Sequence, residues 1–293
     1  MTPTWLLLPC VAALLHASGS AFAAPIIVRD DTGAAVKLVA PAQRIVSLAP
    51  HATELLFAVG AGPRIVGTLD TSDWPLQAKS IPRVGDSRAL DLERIVALVP
   101  DLIVTWPWTA PAQVEALRAR GIAVFTTMPP TIDGIAVDLE RLATLTGDAA
   151  AGWREAESFR KRMNELRARR AGARRIRVFY EIWDAPLYTV GGRHLITQAI
   201  EVCGGENVFA ALTLPAPAVD VEAVLAAKPD AIIAGTDRAI RPAWLDGWRR
   251  WNELPAVSRD RLYVVDADLL HRPGPRFPDG VAALCAAIDA ARH

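Results

Sequence analysis

The chain has 293 residues, carries 32 Lys plus Arg against 32 Asp plus Glu, and is 52% hydrophobic. Balanced charge offers no broad basic surface, so no nucleic-acid partner is expected. The length suffices for one or two cored domains.

Residues 1–23 read as an export signal. Trp5 to Leu15 is apolar apart from Pro9 and Cys10, and Ala21-Phe22-Ala23 fits a small-residue cleavage site. No later segment is long and apolar enough to cross a membrane. The mature chain is therefore expected outside the cytoplasm. Leader removal leaves Cys203 and Cys285. In an oxidising compartment they form one bridge, with two separate buried thiols as the alternative.

Ile26 to Leu38, with Asp-Asp-Thr-Gly in its middle, reads as a hairpin. A strand over Arg44 to Leu48 leads to a helix that Thr53 and Glu54 open and that Gly60 and Gly62 stop. Ile65 to Gly67 is a strand, and Asp70 to Pro82 is a loop holding Trp74. A helix from Asp91 breaks at Pro100-Asp101, before the strand Leu102 to Thr105. Trp106-Pro107-Trp108 follows at that strand's end. Pro111 to Arg120 is a helix, Ile122 to Phe125 a strand, and Ile132 to Leu145 a helix.

The second half repeats the alternation. Strands are expected over Arg177 to Tyr180, Ala231 to Ala234 and Leu262 to Val265. Helices are expected over Leu195 to Cys203, Asp220 to Ala227, Arg238 to Glu253 and Gly280 to Ala291. Short strands alternating with helices predict an α/β fold with parallel sheets.

Two segments echo each other. Asp91-Leu92-Glu93 through Pro100-Asp101 to Val104 recurs 129 positions later as Asp220-Val221-Glu222 through Pro229-Asp230 to Ile233. Thr53 to Gly62 pairs more weakly with Thr197 to Glu206. Two matches in the same order predict two similar Rossmann-like lobes.

Asp148 to Ala171 lies between the halves. Trp153, Ala156, Phe159, Met163 and Leu166 share one helical face, and Gly172 follows as a stop. The expected organisation is an N-terminal lobe over 24–147, a connecting helix over 148–171 and a C-terminal lobe over 172–293.

No catalytic signature stands out: there is no nucleotide-binding glycine loop, paired-histidine metalloprotease motif or nucleophile elbow. His51, His194 and His271 could support zinc only if they converged. Helix-start polar roles are the plainer account, and no dedicated metal site is expected. Strand-end loops, where α/β proteins place ligands, carry Trp74, Trp106, Trp108, Trp183, Tyr188, Asp268 and Arg272. The aromatic rings would supply flat apolar contact and the charged pair hydrogen bonds. Glu93 and Glu206, in equivalent-looking parts of the halves, could pair with arginines of a partner.

Arg44-Ile45-Val46-Ser47-Leu48-Ala49-Pro50 with Thr53-Glu54-Leu55, Asp91 to Leu102, and Glu201 to Phe209 together resemble the vitamin B12-binding periplasmic proteins. These lie within the metal-chelate-binding proteins of ABC importers, and the resemblance covers Gln43 to Ala291. It implies two α/β lobes bridged by one long helix that limits hinge opening. It implies capture, not catalysis: a corrinoid held in the cleft is handed to a permease driven by cytoplasmic ATPases. No cofactor beyond that cargo is implied, and a monomer in the periplasm is expected. By the same resemblance, Glu93 and Glu206 match permease-docking glutamates, and Cys203 and Cys285 match the family's bridge. Trp74 and Trp106 match ring-contacting positions, and Asp268 and Arg272 match polar residues beneath the corrin. Thr71 and Ser87 depart from the pattern, standing where cobalamin binders carry aromatics; Trp108, Trp183 and Tyr188 are the candidates to compensate. Ferric-siderophore or haem capture is the nearest alternative. An exported metal-dependent hydrolase using the histidines is the alternative of another class.

Overall fold

The computed structural model describes residues 24–293, so the export signal expected over 1–23 lies outside the described residues. The hairpin is present as antiparallel β1 (Ile26–Arg29) and β2 (Ala35–Leu38). Asp30 closes its turn by accepting from the backbone amides of Thr32 and Ala34.

The N-terminal lobe is built on β3 (Ile45–Ser47), β4 (Ile65–Thr68), β5 (Leu102–Thr105) and β6 (Ala123–Thr126). All pairings are parallel, in the order β4-β3-β5-β6. Every residue of β5 is buried, as a central strand covered on both faces requires. The connections are α1 (Pro50–Ala58), α2 (Leu92–Ala97) and α3 (Pro111–Arg118), and α4 (Ile132–Thr146) follows β6. Helix α1 begins at Pro50, before Thr53-Glu54, so both polar residues lie inside it and are buried. The Thr53 hydroxyl is satisfied there by Ser47, Thr68 and Ser72 at 2.8, 3.0 and 3.1 Å.

After α5 (Ala149–Ala168), the C-terminal lobe contains β7 (Ile176–Asp184), β8 (Leu187–Thr189), β9 (Gly205–Asn207), β10 (Ala231–Thr236) and β11 (Leu262–Asp266). The parallel strands run β9-β7-β10-β11. Numbered within its own lobe, each parallel sheet thus has the order second-first-third-fourth. β8 is an addition, folding back antiparallel on the end of β7. The helices are α6 (Leu195–Val202), α7 (Val221–Ala227), α8 (Ala243–Asp246), α9 (Pro255–Ser258), α10 (Ala267–Leu270) and α11 (Phe277–Ala290).

The sequence repeat is a structural repeat. Asp91 and Asp220 cap α2 and α7 by accepting from Arg94 and Ala223 amides. Val99 and Lys228 then take left-handed conformations, at φ 47° and 44°. The carboxylates of Asp101 and Asp230 accept from the backbone at the start of each lobe's first strand, Arg44 at 3.1 Å and Arg177 at 3.1 Å. Those arginines return side-chain bonds to the helix-end carbonyls of Leu98 and Ala227. Each Pro-Asp therefore fastens the third strand's entry to the first strand. The weaker echo also corresponds: α1 leads to the second strand β4, and α6 to the second strand β9.

The segment from Arg238 to Glu253 is not one helix. Arg238 and Ala239 have positive φ, and only the four-residue α8 and a 3-10 turn over Gly247–Arg250 follow. Pro242 and the need to seat Trp248 explain the break: the Trp248 indole is 5% exposed and donates to Glu181 at 2.8 Å. Helix α11 starts three residues earlier than Gly280, at Phe277.

Helix α5 is the strut between the lobes. Its Asp148 cap accepts from Ala151. Arg160 pairs with Asp133 and Glu140 of α4 at 2.7 and 2.5 Å, while Arg162 and Arg170 pair with Asp279 and Asp289 of α11. A continuous apolar core runs from the N-terminal lobe through Ala156, Phe159 and Met163 into the C-terminal lobe. Trp153 does not belong to that face: it is 66% exposed. Gly152 takes the inward position, because a Cβ there would meet the Ala143 Cβ at 2.3 Å and the Leu139 carbonyl at 2.8 Å. Cys203 and Cys285 are bonded, tying α6 to α11.

Candidate functional site

Parallel α/β sheets place their loops at the carboxyl ends of the strands. Here those ends from both lobes border one cleft of about 690 Å³. The N-terminal lobe contributes His51 at the start of α1, Trp106 and Trp108 after β5, and Met128-Pro129-Pro130 after β6. The C-terminal lobe contributes Arg193, His194 and Leu195 at the start of α6, Pro215 and Ala216, and Leu270, His271 and Pro273 around the end of α10.

One wall is aromatic. The Trp106 and Trp108 rings lie 5.1 Å apart at 42°, and His51 meets Trp106 edge-on at 5.8 Å. Arg193 is the one charged side chain in the lining among the described residues. The three histidines do come together, at this cleft. Burial lowers the pKa of His51 to about 4, outweighing a bond to the Thr127 backbone. Burial lowers His194 to about 4 as well, and lowers His271 to about 4 with a contribution from nearby His194. All three are thus neutral near neutral pH. The His271 imidazole bonds the Tyr180 hydroxyl at 3.1 Å, and the buried His51 Nε2 has no partner among the described residues. Among the described residues, no three His, Cys, Asp or Glu side chains group so as to hold a metal ion.

Two polar clasps hold the lobes around this space. At its floor, Gln198 of α6 accepts from the Ile132 amide at 3.1 Å and donates to the Pro130 carbonyl at 2.9 Å. At one side, Arg276 donates to both oxygens of Glu54, at 2.8 and 2.6 Å. Arg272 reaches Asp73 at 2.7 Å, Asp268 at 2.9 Å and Glu54 at 3.4 Å. Asp268 and Arg272 are therefore members of an interlobe ion cluster rather than of the cleft wall.

The expected aromatics divide accordingly. Trp106 and Trp108 line the cleft. Trp74 lies in a separate recess with Phe57 and Pro275, its ring 4.6 Å from the Arg276 guanidinium. Trp183 and Tyr188 stand on the β7–β8 hairpin, and Trp183 is 57% exposed. Thr71 and Ser87 are exposed and supply no ring. Sequence reasoning missed Glu54, Asp73 and Arg276, whose partners are distant in the chain. It also missed Gln198 and the Met128-Pro129-Pro130 wall, although that loop follows a strand end and so carried a signal.

Glu93 and Glu206 are not equivalent. Glu93 is exposed in the first turn of α2, on the cleft side of its sheet. Glu206 is in β9, paired with Arg177 at the start of β7, the end of the sheet away from the cleft. The repeat instead matches Glu93 with Glu222, exposed in the first turn of α7.

Residues 45–269 match the family model described as periplasmic binding protein. The chain belongs to the periplasmic binding protein family. The vitamin B12-binding protein of Vibrio cholerae serotype O1 is 36% identical over 254 residues, 86% of this chain and 91% of that one. The vitamin B12-binding protein of Yersinia pestis is 38% identical over 245 residues, 83% of this chain and 85% of that one. In the crystal structure of the periplasmic vitamin B12-binding protein of Vibrio cholerae, the likeness has a TM-score of 0.78, covering 86% of this chain and 98% of that one. A periplasmic haem-binding protein from Roseiflexus, 25% identical, gives 0.76 over 86% of this chain and 99% of its own. The family is one of transport binding proteins, not enzymes, which sets aside the hydrolase alternative.

Proposed function

We propose that this protein is the substrate-binding component of an ABC importer, capturing cobalamin or a related corrinoid in the interlobe cleft and delivering it to a permease. The observation that carries the reading is the Trp106–Trp108 wall in a cleft whose lining, among the described residues, holds the single charge of Arg193. A corrin offers a broad apolar face to such rings and an edge of neutral amides to Gln198 and the imidazoles. Haem propionates and anionic ferric siderophores would call for more cations than this lining has. The reading is supported by the vitamin B12-binding relatives.

The same reading places the mature chain in the periplasm, working as a monomer with lobes over 24–147 and 172–293. Trp106 and Trp108 are the proposed ring contacts, while Trp74, Asp268 and Arg272 act from the interlobe cluster. The chain needs no cofactor besides its cargo. Permease docking is assigned to Glu93 and, through the internal repeat, to Glu222 in place of Glu206. Two carboxylates on matching first turns, both on the cleft side, could meet arginines on a two-subunit partner at once.

Haem is the second reading. Neutral imidazoles in the cleft lining, those of His51, His194 and His271, are of the kind a ferric porphyrin takes as a ligand, and a haem-binding protein is among the structural relatives. Purification of the exported chain after incubation with excess cyanocobalamin tests the first reading. A red complex that survives gel filtration with one corrinoid per chain supports it; a colourless protein that takes up haem instead contradicts it.

A further inference from the structure

The end of the C-terminal sheet away from the cleft carries a second cavity. Arg174 precedes β7, Arg259 and Arg261 precede β11, and Tyr263 is the second residue of β11. Their side chains, with Ala290 and His293, line a surface cavity of about 590 Å³.

The arginines are not alike. Arg174 donates to the Arg292 carbonyl at 2.9 Å and is otherwise exposed. Arg259, also exposed, has Asp230 no nearer than 3.8 Å. Arg261 is 7% exposed, and its Nη1 is buried without any hydrogen-bond partner among the described residues. Among the described residues no acidic side chain pairs with Arg261. Asp260 accepts from Arg249 at 2.8 Å, and Asp230 accepts from the Arg177 amide at 3.1 Å.

A guanidinium cannot shed its charge at any ordinary pH. Burying it without a counter-charge is costly, so such a group is normally paired. Here the side chain that lacks a pair lines a surface cavity together with two further guanidiniums. They approach from separate points of the fold rather than as one planar fork. That arrangement suits a tetrahedral oxyanion, whose acceptors point in several directions, better than a flat carboxylate. Burial raises the Tyr263 phenol, so it stays protonated and able to donate.

We propose that this cavity binds a phosphate group, with Arg261 as the buried anchor and Arg174 and Arg259 closing over it from the rim. The group can come from inorganic phosphate or from a phosphomonoester lipid headgroup; both present the same oxyanion. The site is independent of the corrinoid cleft.

The test uses the full exported chain. Thermal unfolding is followed while inorganic phosphate replaces chloride at constant ionic strength. The expected result is a saturable rise in Tm. In Arg174→Met and Arg259→Met, whose exposed positions leave the fold intact, half-saturation should move up by about tenfold, the factor for losing one charge-assisted bond. Arg261→Met should lose the response while its Tm without phosphate does not fall. Cyanocobalamin affinity should be unchanged in all three variants. A wild-type Tm that does not respond saturably, or rim variants that respond to phosphate at the wild-type concentration, would overturn the proposal. Co-sedimentation with phosphatidylcholine vesicles, with and without phosphatidic acid, names the source. Binding only to the acidic vesicles, lost in the rim variants, assigns the lipid; a phosphate response without vesicle binding assigns the soluble anion.

Discussion

Glu54 and Arg276 join the two lobes through a two-pronged ion pair, at 2.6 and 2.8 Å. Glu54 is 2% exposed, and its other neighbour is Arg272, also from the opposite lobe. The Trp74 ring stacks over Arg276 and shields the pair. Breaking a buried pair leaves an uncompensated charge, which costs about 3–5 kcal/mol. Glu54→Gln should therefore lower the urea midpoint and Tm markedly. Asp73→Asn, at a more open acid of the same cluster, should cost about 1 kcal/mol or less. Denaturation of both variants checks the ranking; equal effects would remove Glu54 from its central place.

The cleft wall makes a separate prediction about affinity. Trp106→Ala should weaken corrinoid binding by about 2 kcal/mol, or ~30-fold in Kd, the worth of one buried apolar side chain. Trp108→Ala should act in the same direction. Trp183→Ala, on the exposed hairpin, should change Kd by less than about threefold. Calorimetric titration of the three variants measures the order.

Acidity should act on stability through Glu181. Burial raises its pKa from 4.5 to about 8, against the bond from Trp248 and with a push from Asp184. The folded state therefore holds a proton that the unfolded chain releases near its ordinary pKa. The associated stability is fully present below about pH 4.5 and is lost as pH rises through about 8. The cleft histidines work oppositely, since their lowered pKa values remove stability as pH falls from 6.5 toward about 4. Between pH 6.5 and 8 the acids dominate: Glu181, and Asp138, raised by burial and by Asp31. Glu181→Gln, which can still accept from the Trp248 indole, should flatten the decline in that window. Chemical unfolding across the range reads it directly; an unchanged slope would show that Glu181 ionises normally.

Docking can be separated from capture. Charge reversal at Glu93 and Glu222 should reduce uptake by cells that depend on this importer while Kd for the ligand stays within about twofold. Reversal at Glu206 should leave both nearly unchanged. Uptake that responds to Glu206 and not to Glu222 would reject the assignment made through the repeat.

Much of this was legible because it is local. The Asp91 and Asp220 caps and the Pro-Asp breaks are written in neighbouring residues, and helices and strands follow them. The twofold likeness of the lobes was legible in the 129-residue echo, though not its cause: the aspartates reach back to Arg44 and Arg177, far away in sequence. Glu54 was not legible as a clasp, since an acid in a helix ordinarily faces water and its arginines lie more than 200 residues onward. Trp153 and Gly152 show a finer limit. Periodicity favoured the large apolar residue for the inward face, but the close crossing of α4 and α5 admits only the glycine. Strands β8 and β9 were missed because Leu-Tyr-Thr and Gly-Glu-Asn carry too little pattern, whereas the equally short β3 is written as Ile-Val-Ser.

The central claim, corrinoid capture, is tested most directly by calorimetric titration of the mature protein with cyanocobalamin, cobinamide, haem and ferric siderophores in parallel. Saturable binding of a corrinoid at one per chain, tighter than that of haem or any siderophore, is the predicted result. Tight binding of haem or a siderophore, with neither corrinoid bound, would contradict it.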